Sequence, residues 1–411
     1  MRVPSKTTLL LVASLAQAYP HSPSDHPKVI HILRNTAENA IISLPISGDG
    51  TLGKGHFTLT AGQGGTALNG PGQPSGPDAL FSQAPLAIAG DLIFALNPGS
   101  NTLSILKPNS DDPTSLTLFN DPVSVPGSFP NTVAASPKHS LVCVGTTGTK
   151  AGISCAPFND HGLIAPFDAL RPYNLNQTTP PVGPPNTVSQ AFFSDDESRL
   201  YVTVKGIPNT DNNGFLSVFP VLNGGEGCRA NKTDPESSGK ARLGRHDTRS
   251  SFASAPLLFG AAVIPSNQHS ESDRVLVTDP TLGAVILDVN PDTNVATLTT
   301  PINITNQQAT CWAAYSSQRN SVFVTDVLVN NLVELDAKNG TVIANTLLPN
   351  SNPGYIDLAV AGRFVYALSP GNGTTEAAVV VFDPVDGKQV QEVGIGAYGG
   401  DRNAVGVVVG Y

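Results

Sequence analysis

Apolar positions in this chain fall in short blocks, and none of them keeps a helical period for long. Each block is rich in Val, Ile, Leu or Phe, ends at Gly, Asn, Asp or Pro, and is followed by a second β-prone run. That is the pattern of strands joined by tight turns. Asp91–Leu106 and Asn320–Leu335 carry it in the same order, and it returns at Ser140–Cys155, Arg199–Phe219, Asp273–Asp288 and Arg363–Phe382. A degenerate copy lies at Lys28–Ile46. Further runs at Thr132–Ser136, Thr187–Ser194, Thr310–Tyr315 and Ile356–Ala361 precede four of these hairpins as inner strands. Strand units repeating at roughly 40–50 residues are the spacing of propeller blades. The pattern predicts an all-β fold, a seven-bladed β-propeller closed as a single ring, with six blades as the alternative. One blade cannot bury both of its faces, so blades must stack, and a ring leaves no exposed end. The apolar runs Val29–Leu33 and Ala404–Val409 are the candidates to close it.

Composition agrees and narrows the partners. Gly (39) and Pro (35) are abundant, while charged residues make up only 13% of the 411. So few Lys, Glu and Arg exclude a coiled coil or helical array, and a 40% hydrophobic share is enough for a large core. A net charge of −9 argues against nucleic acid, whose phosphates call for a basic surface.

Residues 1–18 read as a signal peptide. Arg2 and Lys6 supply the positive start, Leu9–Leu15 the apolar stretch and Ala16–Ala18 the small-residue cleavage site. Neither this run nor any later one reaches the ~20 apolar residues of a membrane helix, so no span is expected. The expected location is outside the cell, on its surface or in the secretory pathway. Glycosylation sequons at Asn176, Asn231, Asn303, Asn339 and Asn372 fit that route. So does an even number of cysteines, 4 in all. Cys143 and Cys155 lie on neighbouring apolar runs joined by a Gly-rich turn and are expected to form a disulfide; the partners of Cys228 and Cys311 stay open. The mature domain, 19–411, is interrupted at about 223–251 by a polar, basic segment containing Lys240, Arg242, Arg245, His246 and Arg249, read as a surface insertion between blades.

Several local motifs carry no chemistry. Gly48–Lys54 imitates a nucleotide-binding loop, but strand-like runs lie on both sides and no helix follows to face a phosphate. Asn209–Gly214 imitates the start of a calcium loop, yet Pro220 stands where the bidentate Glu belongs. No two histidines share a helix-spaced pair, so no metal is expected.

The run Leu175–Ser194 followed by Val204-Lys205-Gly206 resembles the fungal secreted carboxymuconate-cyclase-like proteins, which are similar in turn to the lactonase propellers. Asp49–Leu52, Pro98–Thr102 and Phe129–Val133 add to the likeness, which covers essentially the whole mature chain. The resemblance implies a seven-bladed propeller with its ligand site at one mouth of the central channel. Lactonase propellers commonly carry Pro-His where an inner strand begins, whereas here Pro130-Asn131 and Pro185-Asn186 stand at the comparable places. Asn exchanges hydrogen bonds but is no general base near neutral pH. Members of this group also serve as cyclases of secondary metabolism, including hetero-Diels–Alder catalysts. The expected function is therefore cofactor-free cyclisation of a small molecule by proximity and hydrogen-bond polarisation. Asn131, Asn186 and Gln190 would polarise a carbonyl or quinone-methide oxygen, and Trp312 and Tyr355 would be aromatic walls. The alternatives are a non-catalytic surface glycoprotein and a lactone-processing lactonase or muconate cycloisomerase. A monomer or weak homo-oligomer is expected. A closed, mostly apolar pocket at the mouth with several polar groups converging on it favours the enzyme; a shallow, charged or plugged mouth counts against it.

Overall fold

The computed structural model describes residues 28–223, 240–265 and 272–411. Seven sheets follow one another along the chain, each an antiparallel meander. The innermost strands are Val405–Gly410, Leu86–Ala89, Pro130–Ser136, Val188–Phe193, Ala261–Ile264, Thr310–Ser316 and Leu358–Ala361, for blades one to seven. Seven blades, not six, form the ring. The signal peptide lies outside the described residues. Among those described, no helix is long and apolar enough to cross a membrane.

Why these runs become strands is visible in their burial. The second strand of each blade is sandwiched by neighbouring blades and is mostly apolar, with polar residues at or near its ends, as in Leu92–Asn97, Leu141–Thr146 and Ser321–Asp326, where every residue is buried. The outer strands see water on one side and alternate instead, as in Val342–Leu347 and Lys388–Gly394. Ring closure uses the two expected runs. Val29–Leu33 pairs antiparallel with Val405–Gly410, placing Ile30 opposite Val409 and Ile32 opposite Val407. The last strand of the chain thus becomes the innermost strand of the first blade.

One detail of the sequence reading holds and one changes. Cys143 and Cys155 face each other on directly paired strands and form the expected disulfide. The basic segment, in contrast, is only partly an insertion. Arg242–Leu243 and Thr248–Ser250 pair with Phe215–Leu222 and form the outer edge of the fourth blade. Arg249 bonds Asp247 at 2.7 Å and lies over the rings of Tyr173 and Phe215, so it packs the edge of the sheet. Residues 224–239, with Cys228 and Asn231, lie outside the described set.

Candidate functional site

The connection from the first blade to the second crosses one mouth of the channel, the mouth at which the inner strands begin. There Ser82 Oγ donates to the Asn131 carbonyl at 2.6 Å, and the Gln83 amide donates to the Ser189 carbonyl at 3.0 Å. The Gln83 side chain donates to and accepts from the backbone of Ala313, at 2.8 and 3.1 Å. Trp312 Nε1 donates to the Ser82 carbonyl at 3.3 Å. The segment is thereby bonded to the third, fourth and sixth blades and plugs the channel. Its close pass over the fifth blade needs Gly260, where a Cβ would stand 2.2 Å from Gln83 Oε1. Asp78, Phe81 and Ala84 hold φ of 64°, 52° and 61°. Each such left-handed residue costs about 1–2 kcal/mol and persists where its surroundings over-determine it.

The plug counts against an enzyme by the expectation set from the sequence, but it leaves a cavity of about 370 Å³ above it. Its walls are apolar, with Phe81, Leu257, Phe259, Pro280 and Val327 among them, and into this setting come Asp78, Lys205 and Cys311. Lys205 is only 1% exposed. Its Nζ donates to the Phe81 carbonyl and to Ser189 Oγ, both at 2.7 Å, and lies 4.2 Å from the centre of the Phe259 ring. All three partners are uncharged. Burial therefore pulls the Lys205 pKa down, with the charge of Asp78 opposing that shift. Burial likewise pushes the Asp78 carboxyl up, against Lys205 and the amides of Phe81 and Ser82. One of its oxygens, Oδ1, is buried with no hydrogen-bond partner, so it is open to a ligand donor. Burial raises the Cys311 thiol well above its ordinary value, which keeps it neutral.

On this rim the fifth and sixth blades share one device. In the fifth blade Asp279 closes the second strand, Asp273–Asp279, and its carboxylate accepts the amides of Leu257 at 2.7 Å and Thr281 at 2.8 Å. In the sixth, Asp326 closes Ser321–Asp326 and accepts the amides of Gln308, Ala309 and Leu328 at 2.7–2.8 Å. The fourth blade departs from this. Val204 closes its second strand, Arg199–Val204, and Lys205 follows where the sister blades place Pro280 and Val327. All three of these following residues line the cavity.

The residues singled out from sequence lie elsewhere. None of the five lines this cavity. Asn131 donates to the carbonyls of Val188 at 2.7 Å and Leu80 at 3.3 Å, so its amide group holds the plug. Gln190 Oε1 accepts the Ala261 amide at 2.6 Å and ties the fourth inner strand to the fifth. Asn186, at φ 60°, donates to the Leu175 carbonyl and borders a separate cleft of about 450 Å³ together with Asn176 and Phe215. Trp312 packs edge-on behind Phe259, with ring centres 5.1 Å apart, one layer back from the cavity. Tyr355 is buried, donating to Asn330 Oδ1 and accepting from Asn350. The sequon residues Asn176, Asn303, Asn339 and Asn372 are all exposed. Sequence reasoning missed Asp78 and Lys205. The signal for the second was a lysine directly after the β-prone run Leu200–Val204 in a chain poor in charge.

No protein-family model matches the sequence, and no curated protein matches it. Solved structures do match. A Pseudomonas aeruginosa periplasmic gluconolactonase superposes with a TM-score of 0.59 at 13% identity, over 93% of this chain and 99% of that one. A candidate 6-phosphogluconolactonase from Bacteroides fragilis gives 0.59 at 11% identity, over 95% and 99%. A second such candidate, from Bacteroides uniformis, gives 0.58 at 13%, over 93% and 100%. The chain has the lactonase-type propeller fold. At such identities the likeness extends to the fold alone.

Proposed function

We propose that the protein is a small-molecule enzyme of the secretory pathway that promotes cyclisation of an oxygen-bearing organic molecule without a redox cofactor. The reading is carried by one observation: a buried lysine and a buried carboxyl, the latter with an open oxygen, share an otherwise apolar cavity at the channel mouth. The apolar walls take a hydrocarbon skeleton out of water and hold it folded. Lys205 supplies positive charge in a low-dielectric setting, where it stabilises negative charge developing on a substrate oxygen far better than water would. Burial moves the two groups toward each other in proton affinity, so Asp78 can hold the proton that a substrate oxygen takes up and returns.

Lactone opening is the second reading, prompted by the gluconolactonase that shares the fold. Both are tested with the purified protein, a panel of polyene and quinone-methide precursors, and a panel of gluconolactones. The expected result is faster, selective ring closure with the native protein that is lost in Lys205→Met and Asp78→Asn. Hydrolysis of lactones without ring closure would replace the first reading by the second. Product distributions identical to buffer in both panels would overturn the enzyme and leave a surface glycoprotein.

A further inference from the structure

We propose that Lys205 binds its substrate covalently, condensing with an α,β-unsaturated aldehyde or ketone, and that the resulting iminium is the species that closes the ring. The proposal rests on the cyclase reading and names its substrate class. Three features of the cavity converge on it. First, the groups that touch the lysine are neutral, a carbonyl, a hydroxyl and an aromatic face, while the charge of Asp78 opposes its desolvation without forming an ion pair. Among the described residues it has no ion pair to fix its proton, and desolvation favours the free amine, the nucleophilic form. Second, the groups that hold the ammonium suit an iminium equally well. An iminium keeps one N–H for the Phe81 carbonyl and leaves its positive charge on the Phe259 face. Third, the proton that the condensation needs has a source in the same cavity, Asp78, whose Oδ1 has no other partner.

The step balances. The amine nitrogen attacks the carbonyl carbon, and one of its protons passes to the oxygen, giving a carbinolamine. Asp78 then protonates that hydroxyl, the C–O bond breaks, water leaves, and the nitrogen lone pair forms the C=N bond. The products are iminium, water and the Asp78 carboxylate. The iminium draws electrons from the conjugated C=C, which becomes the better acceptor for a diene or nucleophile folded over it by the apolar walls. After ring closure water adds to the C=N bond, Asp78 takes its proton back, and amine and carbonyl product separate. No oxidant or reductant enters.

The test uses the native chain, cinnamaldehyde as probe and borohydride to reduce any imine to a stable secondary amine. Peptide mass spectrometry then locates the label. At pH 7 the Lys205 peptide should be labelled at least about tenfold faster than the peptides of exposed Lys54 and Lys388. Lys205→Arg keeps a cation and hydrogen bonds but cannot form an imine. In that variant the Lys205-site label disappears, and ring closure is lost although the positive charge remains. Labelling of Lys205 no faster than Lys54, or adducts on Cys311 in its place, would overturn the proposal. Full ring closure in Lys205→Arg would overturn it too, while leaving the non-covalent cyclase standing.

Discussion

The fourth blade and its neighbours, the fifth and sixth, are built on one plan and differ at one strand end. In the fifth and sixth the second strand finishes on Asp279 and Asp326, and each carboxylate gathers backbone amides of the loops around it. Those loops carry Leu257, Ala309 and Leu328 to the cavity rim. In the fourth blade the same position is Val204, which is fully buried and gathers nothing, and the next residue is a lysine turned into the cavity. The repeated feature stabilises; the exception carries charge into an apolar space where stability alone would not put it. A buried lysine among neutral groups is costly, and that cost is what the proposed function accounts for.

The comparison can be broken by exchanging roles. Lys205→Met should reduce ring closure by about a thousandfold, the scale of losing a preorganised charge at a developing oxyanion, while the fold persists. A variant that unfolds instead would make Lys205 a pin for the plug. Asp326→Ala should act the other way. It leaves three amides without their carboxylate and should lower unfolding free energy by about 3 kcal/mol in denaturant titration. The disulfide gives a reference away from the site. Replacing both Cys143 and Cys155 by Ala should cost about 2–3 kcal/mol and leave ligand binding unchanged.

A pH series sharpens the comparison further. Asp357, on the loop before the seventh inner strand, is buried, and burial pushes its carboxyl up to about 7 against the amides of Leu358, Val407 and Ala84. Between about pH 4 and 7 the unfolded chain has lost this proton and the folded chain keeps it, so this group makes stability fall as pH rises through that window. His31 works in the opposite sense. Buried and held neutral, with its pKa lowered to about 3 by desolvation, it makes stability fall as pH drops from about 6.5 toward 3. Asp357→Asn should therefore gain on the native protein steadily between pH 4 and 7, and a constant difference would contradict the buried, protonated state. The smallest effect is expected from Val204→Thr. It imitates the polar strand ends of the other blades and should change stability by less than about 1 kcal/mol, with activity retained.

What could be read from the chain beforehand follows from the range of each interaction. Strands, turns, blade count and the Cys143–Cys155 bridge are local or repeated, and periodicity reveals them. Ring closure was legible because apolar runs, Val29–Leu33 and Ala404–Val409, stand at opposite ends of the mature chain, and the second completes the blade that the first begins. The site was half legible. Reasoning from the starts of inner strands led to side chains that do not line the candidate cavity, because the Asn131 amide N–H is taken up by the plug and its neighbour strand, which no local pattern announces. That plug comes from residues 75–84, at the end of the Gly- and Pro-rich stretch Gly62–Pro77, which reads as surface loop. Asp78 and Lys205 lie far apart in the chain and meet only through it. Trp312 was read as a wall and stands one ring behind it, at a depth no spacing encodes.

The most direct test is a crystal structure of the protein soaked with small aromatic and unsaturated carbonyl compounds. Density is predicted in the cavity between the plug and Phe259, with the carbonyl carbon bonded to Lys205 Nζ or its oxygen within hydrogen-bond distance of that atom. Compounds found only in other clefts, with Lys205 still held by Phe81 and Ser189 in an empty cavity, would contradict it.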